Sequence, residues 1–186
     1  MFTYIYKDIL DIVPYIPLGI KISIVITVLW VLVCKLMRES LNAWQVFLCF
    51  LTVIYLVVVT EVALFSREPG SRDAIDLQFL GTWGNDSQSH AYVIENIIMF
   101  IPFGILIPLT FAPLRKLYFI LPTVFVGSAA IEITQLCTKR GYCQLDDVVM
   151  NVLGGMIGYG VLLLCSNWYY KLLKKQNINV NTNDLP

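Results

Sequence analysis

The stretch EITQLCTKRGYCQLDDVVMNVLGG, residues 132–155, joins two long apolar runs and concentrates charge between them. Its charged and amide side chains include Glu132, Gln135, Lys139, Arg140, Asp146, Asp147 and Asn151. A charged side chain inside a membrane span costs about 2.5–3.5 kcal/mol on insertion scales and therefore requires a functional explanation. The pattern predicts the end of one span, a tight loop and the start of the next span.

The composition of the whole chain is that of a membrane protein. The 186 residues are 58% apolar and only 14% charged, and the mean hydropathy is +0.72. Soluble domains contain about 25% charged residues. The formal net charge is zero, so the composition gives no indication of a nucleic-acid partner.

Five apolar runs are long enough to cross a bilayer, which requires roughly 20 residues for about 30 Å of hydrocarbon. The sequence thus predicts an all-α integral membrane protein with about five transmembrane helices, at residues 18–37, 44–66, 92–112, 117–137 and 148–170. Pro102 and Pro108 predict a kink in the third helix, because proline removes a backbone donor. Gly154 and Gly158 form a G-x-x-x-G pattern that predicts close helix packing.

The segments on either side of the membrane domain, residues 18–170, have a different character. In residues 1–17, apolar side chains recur at helical spacing, which predicts an interfacial helix that ends at Pro14. Acidic residues there argue against a cleavable signal peptide. The tail, residues 171–186, begins with lysines and continues as an asparagine-rich segment that we expect to be disordered.

The distribution of basic residues predicts the orientation. Five spans place the termini on opposite sides, with seven Lys and Arg residues on the side of the C-terminus and six on the other. The loops on the more basic side, 38–43 and 113–116, are short, and short basic loops favour the cytoplasm. We therefore expect the N-terminus outside and the C-terminus in the cytoplasm.

Four of the five spans place polar side chains at one membrane level, predicted to be the outer one. These residues are Glu61, Glu95, Asn96, Glu132, Gln135, Asp146, Asp147 and Asn151. Ser128, Glu132 and Gln135 share one helical face. Arg67 and Arg140 at the span ends are candidate counter-charges, because a guanidinium can bind two carboxylate oxygens. The pattern predicts a polar, water-accessible pocket.

Other interpretations of these residues are weaker or remain open. The polar groups could serve only to hold helices together. An oxygen-only Ca²⁺ or Mg²⁺ site from Glu61, Glu132, Asp146 and Asp147 lacks a loop motif, so the sequence predicts no metal and no cofactor. No zinc-ligand spacing or activated serine is present. Transport is disfavoured because the opposite halves of the spans are almost purely apolar.

The five cysteines do not identify a redox compartment. Cys34, Cys49 and Cys165 lie in spans and are predicted to be small core residues. Cys137 and Cys143 flank the predicted outer loop, and their spacing leaves a disulfide open.

Three segments resemble the VanZ-like family of bacterial membrane proteins: TEVALFSR (60–67), ENIIMFIPFGILIPL (95–109) and EITQLCTKRGYCQLDDVVMNVLGGMIGY (132–159). The resemblance covers about residues 18–170 and implies a multi-pass protein of the bacterial plasma membrane, without a cofactor. The family's namesake is associated with resistance to teicoplanin, a lipoglycopeptide that acts on cell-wall precursors. The resemblance implies that the residues at the family's motif positions are functional here: Arg67, Asn96, Glu132, Gln135, Arg140, Asp146, Asp147 and Asn151. Glu61 and Glu95 are candidate site residues only because they are charged residues within predicted spans.

Two functions are consistent with these observations. In the first, an outer-leaflet pocket binds or shields a lipid-linked cell-wall precursor or a lipoglycopeptide headgroup and contributes to glycopeptide resistance. Its carboxylates suit an amine, its arginines suit a phosphate, and a lipid tail would lie along Phe100, Phe103 and Leu106. In the second, the protein is a membrane-embedded enzyme that modifies the precursor or the antibiotic, with Glu132 and Asp147 as acid and base.

Overall fold

A computed structural model gives the structure of the chain and describes residues 2–65, 70, 74–79, 81 and 87–175. Six α-helices occupy most of these residues: Phe2–Ile12 (α1), Ile16–Leu36 (α2), Ala43–Thr60 (α3), Ser87–Thr110 (α4), Leu117–Thr138 (α5) and Leu145–Lys175 (α6). Short 3₁₀ turns cover Val13–Tyr15 and Ala112–Arg115, and a π-helical turn, Glu61–Phe65, continues α3. Two short strands, Ile75–Asp76 (β1) and Cys143–Gln144 (β2), pair in parallel.

The five long helices, α2 to α6, confirm the predicted spans. Each is long and apolar enough to cross a membrane, so the chain is a multi-pass α-helical membrane protein. α6 begins at Leu145 rather than at residue 148, since Asp146 and Asp147 stand in its first turn. Carboxylates are stable there because the backbone N–H groups of a helix N-terminus carry partial positive charge.

The ends of the chain agree with the sequence in part. α1 is present where a helix is predicted, and its place at a membrane interface stays a prediction. It packs against α4. α6 continues through the first lysines of the tail to Lys175, and the segment from residue 176 onward lies outside the described residues.

The parallel pair α4 and α6 forms the centre of the bundle. A Cβ atom added at Gly154 would overlap the carbonyl oxygen of Ile97, and one added at Gly158 would overlap that of Ile101. Both contacts advance by one helical turn along each helix, so the two backbones run side by side in the same direction. The G-x-x-x-G pattern is therefore the surface on which α6 meets α4, as small residues permit.

A hydrophobic core lies beside this pair and includes residues of α4, α5 and α6: Phe100, Phe103, Ile107, Ile120, Val124 and Tyr159. Phe100 is 1% exposed and Phe103 is 8% exposed, and their rings stack 5.4 Å apart. The prediction that a lipid tail lies along these two phenylalanines is wrong, because both rings face neighbouring helices. Residues 97–109 of α4 are wholly apolar, so no polar side chain within this stretch marks its core face.

The other helices pack around the central pair. α3 contacts α4 and α2, and α5 contacts α6. Hydroxyl groups support these contacts, since Ser23 Oγ donates to the Phe50 carbonyl at 2.6 Å. Among the predicted core cysteines, Cys34 and Cys49 are buried, whereas Cys165 is exposed and that prediction is wrong for it.

The contact between α4 and α6 can be tested with Gly158→Ala. Overpacking a tight contact typically costs about 1–3 kcal/mol, although alanine has a helix propensity about 1 kcal/mol better than that of glycine. We expect a lower unfolding temperature for the purified protein in detergent. Gly160→Ala is the matched control, because nothing lies within 4 Å of a Cβ atom at that position of the same helix. Equal stability of the two variants would contradict the close contact.

Candidate functional site

Polar side chains gather where α3 ends, α4 begins, α5 ends and α6 begins; we call this end of the bundle the polar end. The group of side chains that we call the polar cluster consists of Asn96, Ser128, Glu132, Gln135, Arg140, Asp146, Asp147 and Asn151. Five of them are strongly buried: Ser128 is fully buried, Asn151 is 1% exposed, and Glu132, Gln135 and Asp146 are each 2% exposed. The structure thus brings together most of the residues that the sequence singles out.

The loop between α5 and α6 fixes one side of the cluster. Lys139 ends α5 in the left-handed conformation, with φ at 54°, and the Arg140 N–H then donates to the Gln135 carbonyl at 2.9 Å. This arrangement closes a helix C-terminus and reverses the chain. The backbone N–H of Gln144 donates to Glu132 Oε2 at 3.0 Å. The carboxylate of Glu132 therefore stands at the start of α6.

The π-helical turn at the end of α3 supplies acceptors to α5. Gln135 Nε2 donates to the Ala63 carbonyl at 3.0 Å, and Arg140 Nη1 donates to the Leu64 carbonyl at 3.2 Å. The carbonyls of a last helical turn have no partner within the helix, so side chains commonly satisfy them. The guanidinium of Arg140 also lies over the Phe65 ring, 5.3 Å from its centre, as a cation–π contact.

Two further hydrogen bonds join α6 to its neighbours. Asn96 Nδ2 on α4 donates to Asp147 Oδ1 at 2.7 Å. Asn151 Nδ2 donates to Ser128 Oγ on α5 at 2.9 Å. These bonds hold helices together, which is the role that the alternative interpretation of the cluster gives them.

The amide oxygens of Gln135 and Asn151 do not take part in these hydrogen bonds. Gln135 Oε1 and Asn151 Oδ1 are buried and have no hydrogen-bond partner among the described residues. An unsatisfied buried acceptor costs about 1–3 kcal/mol. A donor from water or from a ligand would remove that cost.

The polar cluster as defined does not include three of the predicted site residues. Glu61 begins the π-helical turn and lines a groove between α2 and α3. Glu95 is half-buried in α4, next to Asn96. Arg67 lies outside the described residues. Within the described part of the chain, no three His, Cys, Asp or Glu side chains are grouped so that they could hold a metal ion.

Sequence reasoning missed the backbone groups of the site. The carbonyls of Ala63 and Leu64 and the N–H of Gln144 complete the network, and nothing in a residue list reveals them. Cys137 and Cys143, whose pairing the sequence leaves open, are both free thiols.

The fold and the site define a multi-pass α-helical membrane protein with a buried polar network at one end of its bundle. A family model described as VanZ/LLP1 matches residues 23–166, and the chain belongs to this family. Protein VanZ of Enterococcus faecium is 38% identical over 69 residues, which are 36% of this chain and 40% of that protein. The alignment therefore spans less than half of the length of that relative. No solved structure matches the chain significantly.

The Cys143 thiol reports on the charge of the cluster. Partial burial raises the pKa of Cys143, and the neighbouring Glu132 carboxylate raises it further. Glu132→Gln should therefore lower that pKa and speed alkylation at neutral pH by a factor of about two or more, because the thiolate is the reactive form. The rate would be measured with iodoacetamide in a Cys137→Ser background, with Glu39→Gln as the control for a distant exposed carboxylate. An unchanged rate in Glu132→Gln would show that Glu132 is uncharged or distant.

The Asn96–Asp147 bond can be tested by a double-mutant cycle. We expect Asn96→Ala and Asp147→Ala each to destabilise the protein, and the double variant to lose less than their sum. Residues in contact typically show a coupling energy of about 0.5–3 kcal/mol. Unfolding free energies in mixed micelles give the coupling, and additive losses would mean that the two side chains do not interact.

Proposed function

We propose that the polar end faces the outside of the cell and that the polar cluster binds an amphipathic ligand by its headgroup. The ligand would be a lipid-linked cell-wall precursor or a lipoglycopeptide, and binding or shielding it would contribute to glycopeptide resistance of the teicoplanin type. Membership of the VanZ/LLP1 family and the similarity to protein VanZ support a role in glycopeptide resistance. The proposed orientation follows the distribution of basic residues.

The observation that carries the proposal is the pair of buried acceptors, Gln135 Oε1 and Asn151 Oδ1. They belong to different helices, Gln135 to α5 and Asn151 to α6, and each could accept a hydrogen bond from a donor such as a primary amine. A lone polar residue in a span is often structural, whereas a network that retains unsatisfied atoms supports a binding role.

The cluster also offers positive charge. Arg140 is held at the edge of the cluster by Phe65 and the Leu64 carbonyl. A guanidinium recognises phosphate or carboxylate through paired N–H donors. A headgroup with both an amine and an anionic group would therefore match the mixed charge of this end of the bundle.

The alternative function is a membrane-embedded enzyme that uses Glu132 and Asp147 as acid and base. The favouring observation is that each of these carboxylates accepts a hydrogen bond from a neutral donor: the Gln144 N–H for Glu132 and the Asn96 amide for Asp147. Enzymes pair carboxylates in this way when their environments differ. Masses of extracted cell-wall precursors and of recovered antibiotic, with and without the protein, would reveal a covalent product if this function holds.

The proposed binding role predicts that Glu132→Ala and Asp147→Ala abolish resistance. The chain would be expressed in a teicoplanin-sensitive bacterium, and the inhibitory concentration should fall to that of the empty vector. Glu39→Ala, which removes an exposed carboxylate at the opposite end, should retain resistance.

Membrane abundance and unfolding temperature, measured for every variant, separate loss of binding from loss of folding. Full resistance in both Glu132→Ala and Asp147→Ala would refute the proposal.

A further inference from the structure

A groove of about 490 Å³ lies on the surface of the bundle between α2 and α3. Most of its described lining is apolar and comes from Ile22, Ile26, Val53, Leu56, Val57 and Phe65. The polar residues Thr60 and Glu61 lie at one end. The groove is separate from the polar cluster, and nothing in the proposed function uses it.

The length of the groove fits one leaflet of a bilayer. From Val53 to Glu61 the helix α3 advances by about 12 Å, at 1.5 Å per residue. Half of the hydrocarbon thickness of a bilayer is about 15 Å. A hydrocarbon chain that lies in the groove would therefore begin near the bilayer centre and end beside Glu61.

The polar end of the groove offers acceptors. The Thr60 hydroxyl donates a hydrogen bond to the Leu56 carbonyl at 2.7 Å, so Thr60 Oγ1 can still accept one. Glu61 is half-buried, and an ionised carboxylate only accepts hydrogen bonds. No lysine, arginine or histidine belongs to the described lining of the groove. The complementary group is a cationic donor.

Phe65 is the boundary between the groove and the polar cluster. It lines the groove and lies beneath the guanidinium of Arg140, which is not among the described lining residues. The cationic group of a ligand in the groove would therefore lie next to Glu61, on the groove side of this ring.

We propose that the groove between α2 and α3 binds one hydrocarbon chain of an amphiphile whose ammonium headgroup pairs with Glu61. Hydrophobic contact with α2 and α3 holds the chain, and the carboxylate selects the headgroup. The assignment does not depend on the proposed function, because it concerns a different surface and requires no antibiotic.

The test uses photo-crosslinking in phosphatidylcholine nanodiscs. The probes are octadecylamine, octadecanol and octadecyl phosphate, each with a diazirine in the chain, and labelled peptides are identified by mass spectrometry. We expect the amine to label Ile22, Ile26, Val53 and Val57 about tenfold more than the other two probes, as a charge-assisted hydrogen bond would allow.

Two variants and their controls make the test specific. Glu61→Gln should reduce labelling by the amine to the level of the alcohol, and Glu39→Gln should not. Ile26→Trp, which fills the groove, should reduce labelling at Val53 and Val57 by all probes. Val25→Trp should not, because Val25 is 58% exposed outside the described lining of the groove. The four substituted residues, Glu61, Glu39, Ile26 and Val25, are exposed or half-buried, so the variants should fold.

The outcomes are distinct. Equal labelling by the three probes, unchanged by Glu61→Gln, would mean contact with bulk lipid only and would overturn the proposal. Absence of crosslinks in the groove would overturn it as well. Either result would leave the resistance phenotype of Glu132→Ala and Asp147→Ala unaffected, so the failure of one proposal is distinguishable from the failure of the other.

Discussion

The direct contact between the backbones of α4 and α6 is the constraint on which the rest of the structure depends. Gly154 and Gly158 bring α6 against the carbonyls of Ile97 and Ile101, where any side chain would overlap them. Membrane helices have no hydrophobic force to pull them together, so small residues and close packing carry the association. At this separation Asn96 of α4 also lies close enough to Asp147 of α6 for their side chains to bond.

The polar network joins the same helices to each other and to α5. Asp147 lies two helical turns before Gly154 on the same face of α6 and accepts a hydrogen bond from Asn96 on α4. Asn151, one turn further along, reaches Ser128 on α5. Gln135 and Asn151 each use the nitrogen of the amide to join a neighbouring helix, and each keeps its oxygen as a buried acceptor. The same amide side chains can therefore hold helices together through their nitrogens and bind a ligand through their oxygens.

Much of the fold could be predicted from the sequence because membrane spans are long and their polar residues are rare. The level of Glu132, Gln135, Asp147 and Asn151 follows from alternation of the spans alone, and the glycine spacing predicts close packing. The core-facing side of α4 was not predicted, because Asn96, at i−4 from Phe100, is the one polar side chain near these rings that marks it. The sequence also does not predict the π-helical turn after α3, whose carbonyls accept hydrogen bonds from Gln135 and Arg140.

Under the proposed function, the buried oxygens of Gln135 and Asn151 accept hydrogen bonds from a bound ligand. The most direct measurement is an experimental density map of the protein purified from bacterial membranes in native lipid. We expect ligand density within hydrogen-bonding distance of Gln135 Oε1 and of Asn151 Oδ1. A map in which protein atoms satisfy both oxygens, with no space between α5 and α6 for another molecule, would contradict it.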